Sequence, residues 1–333
     1  MREKILDLLS GKKIDNQPAF SGLIHVTAEG LERERLVFHE THKDAEKMAK
    51  AAASTFRLTG MPSATLPLDL CAPAEALGSE LNFYEGEEFL FPQVKKLLFE
   101  STRQIADLRP IGNSNARQRG RIPLICNAIE LVKKDIGGEA VISGLIPGPY
   151  TLLIYICKVQ NLFREMKKEP EMVLDALLYL SDFLAEIGNA YLEAGADFIT
   201  VHEMGGSPGF IGPTKFEEFV LVPLKALHEK LNGPKVLSVC GNTNSSMQVL
   251  AQCGADAISV DQLNDLAASR AALKNMLLFG NIDPVLTLSR GENAQVTEAV
   301  VRAKEAGVDA VWPGCDLVIQ TPIKNINLMT GRA

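Results

Sequence analysis

Short runs of consecutive apolar residues, rich in valine and isoleucine, return along the chain. Between them lie longer stretches in which apolar positions recur every three or four residues. The runs are Ala19–Ile24, Ala64–Leu68, Val141–Ile146, Phe198–Val201, Val236–Val239, Ala257–Val260, Met276–Phe279 and Ala310–Trp312. Continuous rather than alternating apolarity is expected of parallel strands covered on both faces. The stretches Glu171–Glu193, Phe216–Leu231, Ser246–Gln252 and Gln295–Ala306 carry helical periodicity. Strand and helix in alternation predict an α/β protein, and eight strands of this kind predict a (β/α)8 TIM barrel.

A small signature precedes three of the runs: Glu193-Ala194-Gly195-Ala196-Asp197, Gln252-Cys253-Gly254-Ala255-Asp256 and Glu305-Ala306-Gly307-Val308-Asp309. In each, the glycine is placed to end a helix in a left-handed conformation, and a strand follows at once. Residues 1–18 read as an amphipathic N-terminal helix and linker. The long interval from Cys71 to Ala140, with Glu75–Gly78 and the charged stretch Tyr84–Arg109, reads as decoration of the barrel rim. No Ser/Gly-rich or low-complexity linker interrupts the sequence, so residues 1–333 are expected to form one domain.

Composition narrows the function. Apolar residues make up 46% and charged residues 23%, which suits a soluble globular protein with a large core. The net charge is −7 and lysines and arginines do not cluster, which argues against nucleic acid as a partner. No run of about 18 apolar residues spans a membrane, and the N-terminus lacks the apolar core of a signal peptide. Six cysteines in a chain of this size do not make a disulfide scaffold. A reducing cytoplasm is the expected setting, where thiols serve as metal ligands or core residues.

In a parallel barrel the chemistry lies at the C-terminal ends of the strands. The residues there are His25, Asp69-Leu70-Cys71, Pro147-Gly148, His202-Glu203, Cys240, Asp261-Gln262, Asn281 with Asp283, and Cys315. Cys240 and Cys315 close two different strands, and two thiolates at one rim suit a soft divalent metal, zinc foremost. Neighbouring residues on a strand point to opposite faces, so His202 and Glu203 compete for the inward position unless Gly205-Gly206 kinks the chain. Glu203 is the expected ligand or base, with His202 a ligand or the partner that orients one. Asp261 is a candidate catalytic group, and His25, Asp69, Tyr150 and Asn281 are candidates for holding substrate. Asp69 equally suits a helix N-cap and Asp283 a turn. Cys126, Cys157 and Cys253 are expected in the core, and His39, His42 and His228 at the surface. The run Gly205–Gly209 has the composition to cradle an anion, but nucleotide-binding and nucleophile-elbow motifs are absent.

Several segments carry a family likeness: Gly144–Leu152 with its Gly-Pro-x-Thr-Leu pattern, Glu193–Ser207, Ile211–Phe219, Val236–Thr243, and Pro313-Gly314-Cys315-Asp316 with Thr321-Pro322. Through them the chain resembles the uroporphyrinogen decarboxylase superfamily over nearly its whole length, and specifically its zinc-dependent, corrinoid-linked methyltransferase branch. The resemblance implies Zn2+, a corrinoid (cobalamin) carried by a partner protein, a small methyl donor or acceptor, and a homodimer. In the coenzyme M methyltransferases of that branch the ligands include a His-x-Cys pair and a later Pro-Gly-Cys cysteine. Cys240 and Cys315 match the cysteines, while Ser238 stands at the histidine position. That departure, together with His202-Glu203, implies a rebuilt centre and turns the expectation toward O-demethylation of a methoxylated aromatic, with transfer to a thiol as the alternative. A metal-free decarboxylase would need basic groups at the mouth, where the strand ends are acidic, and its arginine-rich motif is replaced by Gln17–Ile24. A non-catalytic barrel binding a corrinoid protein or a ligand is the remaining alternative.

Overall fold

The protein is described from a computed structural model covering residues 1–108 and 115–332. The charged stretch expected over Tyr84–Arg109 therefore ends, at Arg109, outside the described residues. Seven strands form one parallel, curled sheet in chain order: β1 (Ser63–Leu66), β2 (Val141–Pro147), β3 (Phe198–Glu203), β4 (Lys235–Val239), β5 (Ala257–Val260), β6 (Leu277–Ile282) and β7 (Ala310–Pro313). Helices cross between or flank them, principally α1 (Arg2–Leu9), α2 (Ala45–Thr59), α3 (Ile122–Ile136), α4 (Pro149–Ile156), α5 (Pro170–Glu193), α6 (Val222–Lys230), α7 (Leu266–Leu273), α8 (Asn293–Glu305) and α9 (Ile323–Thr330). Local signals set their ends. Asp44 accepts the Lys47 amide at the start of α2, and Gly60, at φ +65°, ends it. Inside the Cys71–Ala140 interval lie α3 and a short antiparallel hairpin, Leu81–Asn82 with Gln93–Val94, neither of which the apolar pattern announced.

The first expected strand is corrected. Ala19 makes a single parallel bridge to Val311, and the main chain around it exchanges Phe20 N to Val311 O (3.2 Å) and Val311 N to Pro18 O (2.9 Å). Beyond that point the amides are taken by side chains: Ser21 N by Ser63 Oγ (3.0 Å), Leu23 N by Ser21 Oγ (3.0 Å) and Ile24 N by Asp316 Oδ1 (2.7 Å). A segment whose donors are spent in this way cannot build a ladder, although it contacts both β7 and the start of β1.

The recurring Gly-x-Asp signature acquires a physical meaning. Gly195, Gly254 and Gly307 sit at φ +113°, +82° and +88°. The aspartate after each clamps the start of the preceding strand: Asp197 accepts Ile142 N (2.9 Å), Asp256 accepts Lys235 N (2.9 Å) and Asp309 accepts Leu278 N (2.8 Å). Each is a charge-assisted bond that fixes register, worth about 1.5–3 kcal/mol.

At the N-terminal end of the sheet the interior is filled. Phe20 and Leu23 pack with Val141, Phe198, Val236, Ala257, Phe279 and Trp312, and Ile5, Leu8 and Leu9 of α1 close the layer. Phe20 meets Trp312 edge-on at 5.2 Å. Gly22 is required there, since a Cβ would lie 2.2 Å from Thr200 Oγ1. A larger apolar cluster lies between sheet and helices. The open end is therefore the C-terminal one. Among the described residues no helix is long and apolar enough to cross a membrane.

Candidate metal centre

His202 is the next-to-last residue of β3, Cys240 follows β4, and Cys315 follows β7 after Gly314. In the β3–β4 ladder His202 pairs with Ser238. Ser238 and Cys240, two residues apart, share a face, and an in-register neighbour shares that face too. The imidazole therefore meets the thiol: His202 Nε2 lies 3.1 Å from Cys240 Sγ and 4.0 Å from Cys315 Sγ, and the two sulfurs are 3.5 Å apart. Typical bond lengths to a tetrahedral ion would put two sulfur ligands about 3.7 Å apart and sulfur and nitrogen about 3.6 Å apart. The donor set fits such an ion with three ligands and leaves its fourth position open. Two features hold the thiols in place. Ser207 Oγ donates to Cys240 O (2.5 Å). A Cβ at Gly314 would lie 2.6 Å from Gln262 Oε1 and 2.7 Å from Gln262 N, so only glycine lets the Cys315 turn approach.

The electrostatics are those of a crowded, partly charged cluster. Burial pushes His202 down, but the bond to Cys315 and the charges of Asp316 and Cys315 outweigh it and bring the imidazole up to about 9. Cys315 is held low by the hydrogen bond from Cys240 and by His202. Cys240 is pushed up because it is that donor, because it is buried, and because a thiolate lies beside it. A divalent cation between the sulfurs would relieve this conflict. His202 Nδ1 is buried without a hydrogen-bond partner, and Asp316 Oδ2 stands 3.9 Å from it. Burial raises Asp316 to about 6.

Glu203, expected as ligand or base, turns to the opposite face, and the expectation that it ligates is corrected by strand alternation. Its carboxylate accepts Thr151 Oγ1 (2.5 Å), Gly206 N (2.9 Å) and Tyr150 N (3.2 Å) at the N-terminus of α4. A Cβ at Gly148 would lie 2.1 Å from Glu203 Oε2. The Gly-Pro-x-Thr segment is thus built around this carboxylate, and the anion that Gly206 cradles is Glu203 itself. Burial raises its pKa.

The remaining predicted residues occupy supporting places. Asp261 accepts Gly241 N and Leu263 N, both at 2.9 Å, and so fixes the loop after Cys240. Asn281 donates to Asp261 O (3.0 Å) and Asn264 O (2.9 Å). His25 is buried with its ring nitrogens on Leu23 O (2.7 Å) and Ser63 O (3.1 Å). Tyr150 is buried with its hydroxyl 3.5 Å from Met166 Sδ. Asp69 accepts Arg121 Nη1 and Nη2 (2.9 and 3.1 Å), His42 Nδ1 (3.0 Å) and Cys71 N (2.8 Å). The surface placement expected for His42 and His228 is corrected. Both are buried, the first against Asp69 and the second with Nδ1 2.8 Å from Cys253 O. Asp283 accepts Val285 N and Leu286 N, as a turn-starting aspartate does. Cys157 and Cys253 are buried and Cys126 half-buried.

Sequence reasoning assigned no role to Asp316, Arg121 or Thr151. Asp316 was visible only as the neighbour of Cys315, Thr151 only within its Gly-Pro-x-Thr segment, and Arg121 carried no signal. It also missed a cavity of about 430 Å3 whose lining includes Asp316, Ile24, Met204, Gln93, Val94 and Leu97.

A family model described as uroporphyrinogen decarboxylase (URO-D) matches residues 1–333. Among curated proteins, the methylcobamide:CoM methyltransferase MtaA of Methanosarcina barkeri is 28% identical over 331 residues, covering 99% of this chain and 96% of that protein. The methylcobamide:CoM methyltransferase MtbA of Methanosarcina mazei is 30% identical over 335 residues, covering 98% and 96%. A solved methyltransferase from Methanosarcina mazei superposes with a TM-score of 0.92 at 27% identity, covering 99% of this chain and 97% of its own.

Proposed function

Because the chain belongs to the uroporphyrinogen decarboxylase family, we propose that it works as that family's methyltransferases do, moving a methyl group between the cobalt of a corrinoid and a thiol at a zinc centre formed by His202, Cys240 and Cys315. One observation carries the reading: an imidazole and two thiols converge within 4.8 Å at the open end of the sheet, in a chain similar along its length to methylcobamide:CoM methyltransferases. We read residues 1–333 as one domain, and the sheet as a (β/α)8 barrel whose eighth stave is the segment around Ala19. The corrinoid arrives on a partner protein in the cytoplasm.

The ligand set also favours one substrate class over the other. The expectation of ether cleavage rested on a carboxylate making the metal a stronger Lewis acid. With Glu203 turned away, the donors are two sulfurs and one nitrogen, an electron-rich set that suits a thiol nucleophile. The similar proteins carry CoM, a thiol, in their names, and none of those described names a methoxylated aromatic. Zinc bound here would favour the thiolate of the acceptor over its thiol. The transfer then balances simply. The thiol proton goes to solvent, a sulfur–carbon bond forms as the cobalt–carbon bond breaks, and the electron pair of that bond stays on cobalt, taking it from Co(III) to Co(I). The protein's part is placement: Ser207 and Asp261 hold the Cys240 loop, Gly314 admits Cys315, and Glu203 anchors α4. A decarboxylase binding several carboxylates is disfavoured by the carboxyl groups of Asp261 and Asp316 at this end.

Zinc analysis of the purified protein tests the reading. About one zinc per chain is expected, lost in Cys240→Ser and Cys315→Ser, together with thiol-dependent loss of the methylcobalamin absorption spectrum. A zinc-free wild-type protein, or one inactive with every thiol tried, would overturn it.

A further inference from the structure

Resting on that thiol-transfer reading, we infer that the acceptor is a small thiol with an uncharged, apolar tail, and that the cavity beside the metal centre selects it against anionic thiols. The cavity lies next to the centre at Asp316, which lines it, follows Cys315 and stands with Oδ2 3.9 Å from His202 Nδ1. Its volume, about 430 Å3, suits a small molecule. Its walls are mainly apolar, with Leu70, Phe91, Val94, Ile154 and Met204 among them, and no lysine or arginine lines it among the described residues.

The charged groups near the cavity do not favour an anion. The ionisable side chains among its lining residues include the acidic Asp69 and Asp316. The nearby guanidinium, Arg121, is committed to Asp69 by two bonds and to Glu75 by a third at 2.7 Å. On the hairpin side, Lys43 is paired with Glu85, and Lys95 with Glu80. A sulfonate or carboxylate tail entering here would lose its water without gaining a cation, whereas an alkyl or benzyl tail would gain apolar contact. The fourth position of the metal would take the sulfur in either case, so the tail decides.

The test compares thiols that share the sulfur and differ in the tail. Zinc-loaded protein is titrated by calorimetry with 1-propanethiol and with 2-mercaptoethanesulfonate, and proton release is recorded alongside. Propanethiol should bind at least about tenfold more tightly. Leu97→Lys places an ammonium at the cavity edge, on a residue 43% exposed. It should strengthen sulfonate binding by about tenfold and leave propanethiol nearly unchanged. Equal or tighter binding of the sulfonate by the wild type would overturn this inference while leaving thiol transfer standing. Zinc-loaded protein that binds neither thiol and releases no proton would overturn the thiol reading and this inference together.

Discussion

Two buried clusters at the same end of the sheet pair a histidine with acidic groups, and they are built to opposite ends. Around Asp69 the negative charge is saturated. Arg121 grips the carboxylate twice, and His42 and the Cys71 amide add two more bonds to a side chain that is itself buried. Around Cys240 and Cys315 the acidic groups have little but each other and His202. Each cluster leaves one imidazole nitrogen buried without a partner, His42 Nε2 and His202 Nδ1, so the difference lies in how the negative charge is met. A saturated cluster is a structural joint, and an unsaturated one of soft donors is a place for an ion. Residue type alone does not separate them.

The largest effect on folding should come from breaking the saturated cluster. Arg121→Met leaves the Asp69 carboxylate buried without its counter-charge and should lower stability to denaturant by about 3–5 kcal/mol. Adding Asp69→Asn should recover a substantial part of the loss, because the two groups act as one unit. Whatever protein remains folded should still bind zinc. Equal stabilities of the single variant and wild type would remove the distinction between joint and site.

How far each cluster could be read from the chain follows from how local its determinants are. Continuous apolar runs and the Gly-x-Asp repeats announced the parallel sheet, and the aspartates proved to be register clamps within one β–α–β step. Cys240 and Cys315 stood out because each ends a strand. The choice between His202 and Glu203 depended on which face a strand end presents. That was decided by distant partners, Gly148 and Thr151 receiving one side chain and Cys240 the other. The Asp69–Arg121 pair joins residues 52 positions apart with no shared motif, and His42 was misplaced with it. The segment around Ala19 looked like a strand because its residues are apolar. Only the side chains of Ser63 and Asp316, which take its amides, show why it does not extend the ladder.

A smaller effect, spread through the scaffold, should separate pH-dependent stability from metal binding. Burial lowers His228 to about 4, against the opposing bond to Cys253 O, and shifts His25 and His42 in the same direction. The folded state therefore refuses a proton that the unfolded chain accepts near pH 6.5. The stabilisation is complete above about pH 6.5 and falls away as the pH drops toward 4, a contribution from His228 on the order of 3 kcal/mol. Denaturant midpoints measured from pH 7 to 4 should fall across that window, and His228→Gln should flatten the curve. An unchanged slope in the variant would assign the acid limb to other groups.

The finest test lies inside the unsaturated cluster and asks whether Asp316 is to His202 what Asp69 is to His42. Asp316 Oδ1 already holds Ile24 N, and Oδ2 stands 3.9 Å from His202 Nδ1. When Nε2 binds a metal, Nδ1 must carry the proton, and Asp316 is the carboxylate placed to receive it. In Asp316→Asn the amide oxygen would keep the Ile24 bond and turn its NH2 group toward Nδ1–H, donor against donor. Groups that orient a ligating imidazole in this way are worth about 10–100-fold in metal affinity, or about 1.4–2.7 kcal/mol. Chelator competition should show a loss of that size with the thermal midpoint of the metal-free protein nearly unchanged. Undiminished zinc affinity would show that His202 is positioned by packing alone, and the analogy between the two clusters would end at their shared residue types.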